Sequence, residues 1–136
     1  MIYTFVWRES TKGGPSITYH QLTQAVNADT GIVVDLRDSK DCDAGHIAGA
    51  INIPHSKMQD RASELEPNRG KQIILVDKFG QHTGAIGKHL MGLGHNAARL
   101  KGGMAEWQGN NLPLVKGKPA KSKSEKKKSS KSKKEN

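Results

Sequence analysis

The apolar positions of this chain fall in short runs separated by glycine, proline and charged residues. Gly31-Ile32-Val33-Val34-Asp35-Leu36-Arg37 and Gln72-Ile73-Ile74-Leu75-Val76 are apolar at successive rather than alternate positions. Such runs suit strands of a parallel sheet covered on both faces, because both sides of each strand are then buried. Ile17 reads as a short lead-in, Ala50-Ile51-Asn52-Ile53 as a short strand stopped by Pro54, and Ala97-Ala98-Arg99-Leu100 as a final one. Helical patterns lie between them. Thr18-Tyr19-His20-Gln21 has capping-box spacing and opens a helix to about Asn27, with Leu22, Ala25 and Val26 on one side. A short helix over Ser39–Ala44 is expected to stop at a left-handed Gly45, and Ser56 is expected to cap a helix to about Leu65. Another helix runs from about Thr83 to Leu93, closed by Gly94, and Gly102-Gly103 turns into one carrying Met104 and Trp107. Strands alternating with helices through short loops predict an α/β fold in three layers. A small, mainly parallel sheet would carry helices on both faces, as right-handed crossovers require.

Composition changes this picture at the ends. The chain has 136 residues, enough for one hydrophobic core, yet only 34% of them are apolar. The shortfall is local. Of 22 basic and 13 acidic residues, ten lysines and two glutamates lie between Lys116 and Asn136, leaving 12 basic and 11 acidic groups before them. Residues 116–136 therefore read as a disordered Lys/Ser-rich tail, and residues 16–115 as a nearly neutral domain. Such a tail attracts polyanions, and nonspecific contact with nucleic acid or an anionic membrane leaflet through Lys116–Asn136 is one expectation. A solubilising tail without a defined target is the other.

Residues 1–15 form an extension. Met1-Ile2-Tyr3-Thr4-Phe5-Val6-Trp7 is apolar, then breaks at Arg8 and at Gly13-Gly14-Pro15. Two readings are open: a strand or clamp on the domain edge, and the last turns of a membrane anchor that begins upstream. A single cysteine, Cys42, excludes an intrachain disulfide and fits a reducing compartment. The expected location is cytoplasmic, with tethering at the inner membrane if an upstream anchor exists. No Cys-x-x-Cys or His-x-x-x-His spacing occurs, so we expect neither a metal nor a cofactor.

The order of motifs then points to a family. Val34-Asp35-Leu36-Arg37, followed by Asp41 and by Gly45-His46-Ile47-x-Gly49-Ala50-Ile51-Asn52-Ile53-Pro54, resembles the first rhodanese signature, and Leu100-Lys101-Gly102-Gly103-x-x-x-Trp107 is similar to its closing signature. Read as residues alone, Arg37 is placed to pair with Asp35 or Asp41 and fix the corner at the strand end. His46 suits a hydrogen-bonding strut, Gly102-Gly103 a tight turn, and Trp107 a core plug.

The resemblance implies an active-site loop after the Ile73–Val76 strand, where parallel sheets form their sites. Rhodaneses carry Cys-x-x-Gly-x-Arg-Ser there, and the cysteine holds sulfur as a persulfide. Aligned on Gly80, this chain reads Asp77-Lys78-Phe79-Gly80-Gln81-His82-Thr83. Asp77 replaces the cysteine, His82 the arginine, and Thr83 the serine. A carboxylate forms no persulfide, and it should itself accept the inward-pointing N–H groups of the loop. Lys78 and His82 could return some positive charge to this anion pocket. The expectation is a degenerate loop with no catalytic residue: a non-catalytic binding or regulatory module for an unknown protein or small anion. Two alternatives remain open: a sulfurtransferase working through Cys42 or a partner's cysteine, and a polyanion-binding protein acting through its tail. Aspartates flank Cys42 and should disfavour its thiolate.

Overall fold

The computed structural model describes residues 13–118. The readings of the apolar N-terminal segment and of most of the lysine tail fall outside these residues. Five strands form one sheet in the order β1-β5-β4-β2-β3, with every pairing parallel: β1 (Ser16–Ile17), β2 (Gly31–Asp35), β3 (Ile51–Asn52), β4 (Gln72–Val76) and β5 (Asn96–Leu100). β4 is central, and it buries Ile73, Ile74, Leu75 and Val76 completely. Alternate residues of β2 and β4 serve opposite layers. Val33, Ile74 and Val76 join one core with Leu22, Met104 and Trp107, whereas Val34, Ile73 and Leu75 join the other with Met58, Leu65 and Leu90. This double coverage is why the strands read as continuous apolar runs.

Helix α1 (Tyr19–Asn27) lies on the first layer. Its capping box is complete: Gln21 N donates to Thr18 Oγ1 at 3.2 Å, and Thr18 N donates to Gln21 Oε1 at 2.9 Å. Helix α5 (Gly103–Gly109) shares that layer through Met104 and Trp107. The Trp107 indole donates to Pro113 O at 3.0 Å, so its one polar atom is satisfied inside the core.

Two local expectations need correction. Helix α2 (Ser39–Ala44) does end at Gly45, but Gly45 has φ 168 and ψ 125, an extended conformation and not a left-handed one. A Cβ on Gly45 would stand 3.2 Å from Leu114 Cδ1, so close packing of the C-terminal segment accounts for the missing side chain. The second correction concerns the helix expected from Ser56 to Leu65. The chain instead makes a 3-10 turn at His55–Lys57, a single α-turn α3 (Met58–Arg61), and a second 3-10 stretch over Ala62–Asn68. Pro67 lies inside that last stretch, and Ser56 makes no capping hydrogen bond. Met58, Ala62 and Leu65 are all buried, so layer packing governs the segment more than helix propensity. Helix α4 (Thr83–Gly92) completes the second layer and is followed by Gly94 at φ +93.

Candidate functional site

The carboxyl ends of β2 and β4 present two buried aspartates side by side. Asp35 is paired in register with Val76, so Asp77 follows one residue further along on the neighbouring strand. Among the two partners open to Arg37, the structure selects Asp35. Arg37 Nε donates to Asp35 Oδ1 at 3.0 Å, Arg37 Nη2 to Asp35 Oδ2 at 2.7 Å, and Nη2 also to Gly45 O at 2.7 Å. Asp41 is exposed and acts on Arg37 only through its charge. Burial works against the Arg37 charge, but the hydrogen bond and the charge of Asp35 outweigh it and raise the guanidinium above its ordinary value. Asn52 braces this corner from β3, donating to Asp35 O at 3.0 Å and to Arg37 O at 2.8 Å. His46 Nδ1 lies 2.9 Å from Cys42 O, and His46 forms a bridge with Val115 that ties the C-terminal segment to this side.

The loop after β4 is organised around Asp77, whose side chain is 4% exposed. Lys78 N donates to Asp77 Oδ1 at 2.8 Å and His82 N to Asp77 Oδ2 at 3.0 Å. His82 Nδ1 approaches the same Oδ2 at 2.5 Å. Phe79 N donates to Gln81 Oε1 at 3.1 Å, and the Thr83 hydroxyl to Gly80 O at 2.9 Å, with Gly80 at φ +87. The loop thus meets several of its own N–H groups with its own side chains. Helix α5 secures it from behind: Met104 N donates to Asp77 O at 2.8 Å and Ala105 N to Lys78 O at 2.9 Å. Gly103 permits that approach, since a Cβ there would lie within 2.4 Å of Asp77 O. The loop's outer surface carries Phe79, 63% exposed, with Lys78 Nζ 5.4 Å from its ring centroid.

Some neighbours of the loop are invisible in the sequence. His55 stacks on His82 with ring centroids 3.6 Å apart and planes 7° apart. Its backbone explains the meeting, because His55 N donates to Leu36 O at the end of β2. A cavity of about 280 Å³ also opens between α2 and α5 beside Lys78, lined in part by Arg37, Asp41, Gln108 and Leu114. Among the described residues, no three His, Cys, Asp or Glu side chains converge in a way that could hold a metal ion. Cys42 is fully buried in α2. Burial first, and then the nearby Asp35 carboxylate, push its thiol up to about 12 against the opposing pull of Arg37.

The sequence model of the rhodanese-like domain matches residues 18–110 of this chain. The chain belongs to the rhodanese-like family. YibN of Escherichia coli strain K12 is 39% identical over 104 residues, spanning 75% of this chain and 73% of YibN. A rhodanese-related protein of Thermoplasma volcanium superposes with a TM-score of 0.67 at 30% identity, covering 74% of this chain and 97% of the other. Thiosulfate sulfurtransferase of Pseudomonas aeruginosa matches with a TM-score of 0.66 at 20% identity, over 83% of this chain and 24% of that enzyme, which is a likeness of fold alone. The five-stranded parallel sheet of this rhodanese-like domain is the architecture these proteins share. No helix among the described residues is long and apolar enough to cross a membrane.

Proposed function

We propose that this rhodanese-like domain is a non-catalytic binding or regulatory module. The observation that carries the reading is the self-occupied loop: the Asp77 carboxylate accepts the N–H groups of Lys78 and His82 and the His82 ring. Sulfur transfer of the double-displacement kind needs a thiolate at this point, which attacks a sulfane sulfur and keeps it as a persulfide. A carboxylate oxygen provides no such carrier. It also sets a negative charge where an anionic sulfur donor would sit, and repulsion between like charges in a confined site is severe. Cys42 is a poor substitute, since a buried thiol raised to about 12 is almost wholly protonated near neutral pH. Lys116 and the lysines beyond it supply a second, nonspecific attraction for anionic membrane or nucleic acid. An upstream anchor would hold the module at the inner membrane.

A thiosulfate-to-cyanide sulfur-transfer assay tests the reading on wild type, Asp77→Cys and Cys42→Ser. The expected outcome is no transfer above background in the wild type and in Cys42→Ser, with measurable transfer in Asp77→Cys. Clear wild-type turnover would overturn the proposal, and its loss in Cys42→Ser would move the sulfur carrier to Cys42.

A further inference from the structure

The cavity between α2 and α5 carries chemistry that the loop does not use. At about 280 Å³ it is slightly smaller than sites for drug-sized molecules, so its ligand is small. Arg37 borders it, although only 8% of that residue is exposed. The guanidinium commits Nε and Nη2 to Asp35 and Gly45 O, and Nη1 donates to no acceptor among the described residues. With Nε and both Nη2 hydrogens committed, the donors left are those of Nη1, and a charge-assisted hydrogen bond from Nη1 suits a single carboxylate oxygen. Lys78 adds a second cation to the same wall.

Opposite charge is present as well. Asp41 lines the cavity and lies close enough to Arg37 to raise it, and Gln108 offers an amide. The remaining wall is apolar: Ala44, Met104, Ala105 and Leu114. Two cations, one carboxylate and an aliphatic wall, in a space this small, are complementary to a zwitterion with a short hydrocarbon side chain. A simple inorganic anion would leave Asp41 repelling it and the apolar wall unused.

We propose that this cavity binds a free aliphatic α-amino acid, its carboxylate at Arg37 and Lys78, its ammonium at Asp41, and its side chain against Met104 and Leu114. The inference rests on reading the domain as a binding module. The sulfur-transfer assay and a binding assay nevertheless fail separately, since an inactive protein that binds no amino acid would remove only this step.

The test is isothermal titration of the full chain with three probes: leucine, 4-methylpentanoate, which lacks the ammonium, and isoamylamine, which lacks the carboxylate. Leucine is expected to bind, and each truncated probe to bind about three- to fivefold more weakly or worse, the range that a single partly exposed ion pair supports. Asp41→Asn should weaken leucine about three- to fivefold, and should leave 4-methylpentanoate no weaker, or tighter, because the repulsion of its carboxylate is relieved. Ala105→Trp, which projects a large ring toward the cavity from a residue exposed on α5, should weaken leucine at least about tenfold by excluding it. Absence of leucine binding at about 10 mM, a free energy of under 3 kcal/mol, would overturn the proposal. So would 4-methylpentanoate binding as tightly as leucine, or leucine binding undiminished in Ala105→Trp. If Ala105→Trp does not fold, chemical-shift changes in the wild type decide. Leucine must perturb the Met104 methyl and the Ala105 amide, and shifts confined elsewhere overturn the assignment.

Discussion

Asp35 and Asp77 stand at the same end of neighbouring strands, are almost equally buried, and are held in different ways. Asp35 faces a guanidinium that also reaches Gly45 O, and Asn52 donates to the backbone carbonyls of Asp35 and Arg37. The carboxylate is held by Arg37 alone, through its N–H, Nε and Nη2. Arg37 carries the link on to Gly45 O after α2, while Asn52 adds β3 through the backbone, so the Asp35–Arg37 pair ties three pieces of chain together. The partners of Asp77 come from its own loop: the N–H groups of Lys78 and His82 and the His82 ring. One buried carboxylate belongs to the frame of the domain, and the other belongs to a loop that the frame presents. Burial and the sequence distance of the partners do not separate the two aspartates. What separates them is that Arg37 reaches on to another segment, whereas the groups holding Asp77 stay within its loop.

The widest separation between the two corners should appear in Arg37→Leu. This change leaves Asp35 buried without its counter-charge, which costs about 3–5 kcal/mol in comparable buried pairs. Urea unfolding should show a large fall in midpoint, and a loss no greater than that of Asp77→Ala would dissolve the distinction. Gly103→Ala comes next, at about 2–3 kcal/mol, because the new Cβ meets Asp77 O and Gly103 sits at φ +61. Its signature is that the His82 and Lys78 amide resonances move while those of Asn52 stay in place. Asp77→Ala should cost less, about 1–2 kcal/mol, since the freed N–H groups lie in a loop that water can reach. The same variant should release the His82 ring, visible as a change in its tautomer by imidazole nitrogen NMR.

The smallest expected effect lies at the opposite end of the sheet, just before β5. His95 is buried, and neither ring nitrogen has a hydrogen-bond partner among the described residues. Burial first, and then Arg69, lower it below its ordinary 6.5, against the pull of Glu66. A proton therefore binds the unfolded chain more readily than the folded one. The contribution of His95 is present above pH 6.5 and is lost as the pH falls through the lowered folded value. His95→Leu should flatten the unfolding midpoint over that acid range and leave both aspartate corners unchanged. A wild-type midpoint that stays level from pH 7 to about 5 would contradict this account.

Much of the architecture was legible before any coordinates. The Gln72–Val76 run forms β4 with the same bounds, and the Thr18–Gln21 box caps α1 as its spacing requires, because both signals are local. The Ser56 segment was misread for the complementary reason. Its path follows Met58 and Leu65 into a core built by distant strands, and no capping signal competes with that burial. Gly45 was read correctly as an end of a helix and wrongly as left-handed, since the residue that needs the space is Leu114, sixty-nine positions later. The identity of the loop, Asp77 to Thr83, was visible from the motif order. The contacts of His55 and the cavity that joins Arg37 to Gln108 were not.

By itself, then, the sequence determined what depends on near neighbours: the alternating strands and helices, the basic tail, and the loop after β4 with an aspartate at residue 77. Only the tertiary structure decided which acid Arg37 would choose and which histidine would stack on His82. It also decided that a cavity would open beside Lys78. The physical reason is that parallel strands bring their carboxyl ends together from well-separated stretches of chain. Side chains there meet through the register of the sheet, and no pattern along the chain records that meeting.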